Sequence, residues 1–172
     1  MATFLKYPRG TRANLTTLAG ANGLVPYSQY WVTDENRFAM ATAVNTLVNL
    51  PSKDDPIALV FHLNGGGSAI TAGQQFDLPS VPFPCTVVGW RILGDQTGSA
   101  VIDILRSTYS NFPTMASIAG TEKPTLASAR KNEDTALSTW TTSLAQGDVL
   151  RASVASATTV TWVTVELLVT RT

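Results

Sequence analysis

The chain has 172 residues with 12 basic and 12 acidic side chains, so its formal net charge is zero. That balance makes no extended positive field, which excludes nucleic acid as the expected partner. Charged residues are only 14% of the chain, against about 25% in an average soluble domain, as expected where much of a surface faces other subunits and equally of a compact Ser/Thr-rich β-domain.

The length fits one domain with a short appendage. A single cysteine, Cys85, excludes an internal disulfide and a Cys-cluster zinc site. No stretch reaches the ~20 apolar residues that span a bilayer. The first ten residues carry Lys6 and Arg9 without an apolar core, so no signal peptide is expected there. The expectation is a protein made in the cytoplasm and not secreted by the usual route, with no membrane insertion.

In chain order, Thr11 to Ala19 places Leu15, Leu18 and Ala19 at helical spacing, with Thr11 as N-cap and Gly20 or Gly23 as the stop. So short a helix is marginal in water and needs a surface to pack on. After Pro26, the runs Tyr30 to Thr33 and Phe38 to Val44 flank Asp34-Glu35-Asn36-Arg37, which reads as a β-hairpin.

From Ile57 onward the chain is rich in β-branched residues. Strands are expected at 58–63, 85–93, 100–105, 149–154 and 160–171, with a hairpin turn at Gly94-Asp95-Gln96-Thr97-Gly98. A helical turn is expected around Leu126 to Arg130. The last strand has the clearest signature: Val163, Val165, Leu167 and Val169 on one face, Thr164, Glu166 and Thr170 on the other, with Leu168 the one apolar exception. Many short strands without alternating helices predict a mainly β protein. The expected form is a jelly-roll-like antiparallel β-sandwich at 57–172 behind an N-terminal docking arm at 1–56, the arm holding one small helix and the hairpin.

Catalytic, cofactor and metal constellations are not expected. His62, the one histidine, sits inside a strand, and no Gly-x-Ser-x-Gly elbow supplies a nucleophile for it. Cys85 opens a strand, where a buried inert thiol is usual. Asn64-Gly65-Gly66-Gly67-Ser68 lacks the Lys and Ser or Thr of a phosphate loop. The carboxylate pairs Asp34-Glu35, Asp54-Asp55 and Glu133-Asp134 sit at turns, where adjacent side chains point apart; glycosidase chemistry needs two facing carboxyls across a cleft. Of the four tryptophans, Trp140 lies in a loop-like stretch, where it either stacks on a sugar ring or plugs the end of the sandwich. Tyr109 is a second stacking candidate.

Two stretches resemble proteins of tailed-bacteriophage particles. One runs through Gly10 to Leu15, Asn22 to Pro26 and Tyr30 to Ala39, and is similar to a motif of tail fibres and related virion proteins. The other, in segments from Val81 to Ser143, is similar to a β-domain of virion structural proteins. The resemblance implies a non-enzymatic virion protein, a homotrimeric short tail fibre or head fibre contacting the host surface. Its implied partners are other copies of itself, other phage virion proteins and a host surface glycan. Docking to the particle is then expected through Leu15, Leu18, Tyr30, Trp31, Arg37 and Phe38, and glycan stacking at Trp140 and Tyr109. Unlike long fibres, the chain has no repeats between arm and β-domain. A capsid decoration or cement protein and a carbohydrate-binding module are the alternatives.

Overall fold

The structure, a computed structural model, describes residues 9–20, 29–33, 35, 37–43, 46–49 and 55–172. Gly23, Pro26, Asp34, Asn36, Val44 and Asp54, to which the sequence assigned turns, a break, a strand end and a carboxylate pair, lie outside those residues. The chain forms two compact units, Met1–Asp55 and Pro56–Thr172.

The first unit holds β1 (Arg9–Gly10), α1 (Arg12–Gly20), β2 (Gln29–Val32), β3 (Arg37–Ala43) and β4 (Thr46–Asn49). Its sheet has the order β1-β2-β3-β4, with β1 parallel to β2 and the other pairs antiparallel. Thr11 is the N-cap of α1: its hydroxyl accepts the Asn14 N–H at 3.3 Å and its carbonyl accepts that of Leu15 at 3.0 Å. The helix finds its surface through Leu15, which is buried with Tyr30, Val32, Ala39 and Ala41. The expected hairpin is β2 with β3, in register Tyr30↔Ala39 and Trp31↔Phe38.

The second unit is an antiparallel β-sandwich that curls nearly closed. It comprises β5 (Ile57–Asn64), β6 (Gln75–Leu78), β7 (Cys85–Thr108), β8 (Ala116–Ser117), β9 (Thr125–Asp134), β10 (Ser143–Leu144), β11 (Asp148–Thr158) and β12 (Trp162–Arg171). Strand order is β5-β12-β7-β11-β6, with β8, β9 and β10 also paired to β7. Where the two ends of that order approach, the rings of Phe61 and Phe76 meet edge to face at 6.2 Å. On β12, Val163, Val165, Leu167 and Val169 are fully buried while their neighbours are half-buried, the expected period of two.

The strand β7 is 24 residues long and belongs to both layers. Its first part pairs with β12 from Cys85 to Gly94, and its last part pairs with β11 from Ser99 to Thr108. Gly94 to Gly98 is therefore not the hairpin turn expected from its composition; it is the bend by which one strand changes layer. The link from β11 to β12 crosses at the same corner. Asp95 holds it: its carboxylate accepts the Thr161 hydroxyl at 2.7 Å, the Thr161 N–H at 3.0 Å and the Trp162 N–H at 3.4 Å. On the other flank β9 follows the bend, and its register against β7 jumps between Lys131↔Leu93 and Ala129↔Gly98. The helical turn expected near Leu126 to Arg130 is thus a strand, kinked at Ser128, where φ is 50°. Its inward Leu126 is buried beside Ala100, and ladder pairing overrides the local turn preference.

Asp95 gives the fold a testable pH dependence. Its hydrogen bond from Thr161 holds its pKa below the ordinary 3.8, and so does that of Asp77 from Arg151. For a carboxylate depressed in the folded state, the stabilisation is complete above the unfolded value and is lost as pH falls through the folded one. Urea midpoints are expected to hold from about pH 7 to about pH 5 and then fall below about pH 4. Asp95→Asn should be less stable at neutral pH and show a shallower acid decline. A midpoint that rises on acidification contradicts this assignment.

Candidate functional site

The residues singled out for docking divide by environment. Leu15 and Tyr30, at 4% and 3% exposure, are committed to the first unit's own core, so as contact residues they are corrected. Leu18 is exposed, and Trp31 and Phe38 are half-buried as an edge-to-face pair with centroids 4.9 Å apart. Arg37 is also half-buried, forming an ion pair with Asp55 and lying 3.9 Å from Glu35. Glu35 in turn takes a two-pronged bond from Arg12 at 2.7 and 2.8 Å. Such forked guanidinium–carboxylate pairs fix geometry as well as charge. This network leaves Leu18, Trp31 and Phe38 as the apolar groups of the set that reach the surface.

Trp140 also needs correction as a stacking platform. It is buried at 8% exposure, and its Nε1–H donates to the Glu122 carbonyl at 2.9 Å. It belongs to the second unit's core, with Leu137 and Ile118 among the other members. Tyr109 is the opposite case, 79% exposed.

Tyr109 lies on the loop that joins β7 to β8. Three backbone bonds wind this loop: Asn111 and Phe112 N–H to the Thr108 carbonyl, both at 3.1 Å, and Thr114 N–H to that of Asn111 at 2.9 Å. The Ser107 hydroxyl, itself buried, anchors it by donating to the Thr114 carbonyl at 2.6 Å. Phe112 lies against the Arg151 guanidinium at 5.3 Å. That guanidinium is held flat by a fork to Asp77, across the β6–β11 pair, at 2.6 and 2.8 Å.

Beside the loop opens a cleft of about 590 Å³, lined by Arg106, Ser107, Thr108, Asn111, Thr114 to Ile118, Thr141 and Asp148. Its size falls in the usual range for small-molecule sites, about 300–1,000 Å³. Asp148 is 6% exposed; it caps its own turn by accepting the Ala145 N–H at 2.8 Å, with Arg106 Nη1 3.7 Å away. Arg106 Nη1–H donates to the Ser143 carbonyl at 2.8 Å. The sequence pointed only to Tyr109 here. Arg106 and Asp148 come from neighbouring strands far apart in the chain, so no spacing could have paired them.

The other chemistry-bearing residues are otherwise engaged. His62 is exposed on the outer face of β5, its Nδ1 2.9 Å from the Thr164 hydroxyl and its ring 5.7 Å from that of Trp162. Cys85 is buried, and burial, with the charge of Asp148, pushes its thiol pKa upward, away from nucleophilic thiolate. Glu133 pairs with Arg91 at 3.0 Å, and Asp134 caps the Ala136 N–H. Among the described residues no group of three or more His, Cys, Asp or Glu is placed to hold a metal ion. None of the described helices is long and apolar enough to cross a membrane.

The sequence was also compared with known proteins. No family model matches the chain, and no curated protein matches it in sequence.

Proposed function

We propose that this chain is a non-enzymatic structural protein of a bacteriophage particle, a short tail fibre or head fibre that assembles as a homotrimer and meets the host surface. The observation that carries the reading is how apolar surface is distributed over two separately cored units. The first unit buries Leu15 and Tyr30 internally yet keeps Leu18 exposed and the Trp31–Phe38 pair half-exposed. The second exposes Val60, Val88 and Leu93 on the outer side of its β5-β12-β7 layer, with Val60 opposite Glu166 and Leu93 opposite Thr164. Large apolar side chains left exposed on both units, in a chain of low charge, suit surfaces that other subunits cover. The similarity of the Gly10 to Ala39 segments to virion proteins supplies the setting.

A capsid cement protein would use the same faces to clamp coat subunits, and gene deletion separates the two roles. Particles lacking a fibre are expected to keep their capsids and lose adsorption to the host. Particles lacking a cement protein would adsorb normally and release their genome more readily on heating. Light scattering on the purified chain should give three times the 18.3 kDa chain mass; a monomer at every concentration would count against the trimer.

A further inference from the structure

The cleft beside the β7–β8 loop holds more polar capacity than the fold uses. Oδ2 of Asp148 accepts the Ala145 N–H, whereas Oδ1 accepts no hydrogen bond among the described residues. That oxygen still reaches solvent, although the residue as a whole is 6% exposed, and is left to water or to a ligand that supplies a donor. Arg106 spends Nη1 on the Ser143 carbonyl, and its guanidinium has further N–H groups to give. The Asn111 side chain also lines the cleft, and among the described residues it makes no hydrogen bond. Donors and acceptors thus share the cleft with the apolar side chains of Met115 and Ile118.

We infer that this cleft is a saccharide site, taking a neutral hexopyranose at the end of a glycan chain. Sugar hydroxyls both donate and accept, so adjacent ones match a carboxylate oxygen on one side and Asn and Arg N–H groups on the other. Arg106 and Asp148 offset each other's charge across 3.7 Å. An acidic sugar would set a second carboxylate against Asp148, and an amino sugar a second cation against Arg106. Tyr109 is not part of the cleft lining but is the next residue after Thr108, which is, and at 79% exposure its ring is accessible to the C–H side of a pyranose that extends past the cleft's edge. The inference deepens the host-contact reading and takes the source of the glycan from it; the binding itself belongs to the isolated chain.

The test is saturation-transfer NMR on the purified full chain with methyl hexosides at about 10 mM, a concentration suited to millimolar dissociation constants. The panel holds neutral members (galactoside, glucoside, mannoside, rhamnoside), a glucuronide and a glucosaminide. The expected result is saturable transfer to at least one neutral member, weakened about fivefold or more by Tyr109→Ala. Tyr109 is exposed, so that variant should keep the wild-type thermal midpoint. Asn111→Ala, also at an exposed position, should weaken the same ligand. Transfer to no member, transfer confined to the charged members, or binding unmoved by both variants overturns the inference. None of these outcomes bears on residence in a virus particle, which is decided on the particles themselves.

Discussion

Gly98→Val is expected to destabilise the sandwich by about 3 kcal/mol or more, the upper end of what overpacking costs. A Cβ at this position would lie 2.4 Å from the Thr159 hydroxyl oxygen, 2.7 Å from the Thr158 carbonyl oxygen and 2.8 Å from a Val160 methyl. Two of these belong to the turn by which β11 becomes β12, which is fixed from the other side by Asp95 and by the Gln96 side chain on the Thr159 carbonyl. Thr159 already has a φ of 68°, costly for a β-branched residue, so little adjustment is left in the turn. The branched side chain would have to push apart the two strand connections that cross at this corner. Thermal melts should show a midpoint lower by about 10 °C or more for a unit of this size. A Gly98→Val midpoint within a degree or two of wild type would mean that the corner is looser than its distances indicate.

Trp140→Ala should cost about 3–5 kcal/mol, as for other buried tryptophans. Two losses combine. The indole leaves a hole in the core cluster to which it belongs, and the Glu122 carbonyl loses the N–H that satisfies it. Its loop is tied down by the same neighbourhood: Glu122 also accepts from the Thr139 N–H at 2.8 Å. Denaturant titration followed by circular dichroism measures the cost, and the variant is expected to unfold at clearly lower urea. A stable Trp140→Ala variant that had lost glycan binding would return the stacking role to Trp140 and count against the proposed one for Tyr109.

What could be read from the residues follows from the range of the forces involved. The alternation on β12 is local and survives in the sequence, as do the Thr11 cap and the β2–β3 hairpin. The bend in β7 was misread because Gly94, Asp95 and Gly98 are turn-forming residues wherever they stand. Only the opposite strand connection, more than sixty residues later, shows that Asp95 is used to hold Thr161 and that Gly98 is small because Thr159 crosses it. Leu126 to Arg130 follows a proline and has no strong alternation, and its pairing with β7 across a shifted register is a tertiary matter. Among the aromatic candidates, exposure decided the roles. Loop position is shared by Tyr109 and Trp140, and burial depends on what packs behind each ring. The cleft itself left no sequence signal beyond Tyr109, because the antiparallel pairing of β7 and β11 is what brings Arg106 beside Asp148.

The central claim is that this protein works by joining and presenting surfaces as part of a phage particle. Mass spectrometry of particles banded to purity, followed by electron cryomicroscopy of the same preparation, tests it most directly. The account predicts the chain in fixed stoichiometry, in multiples of three, with β-sandwich density projecting from the tail or head. Purified infectious particles in which the chain is absent would contradict it.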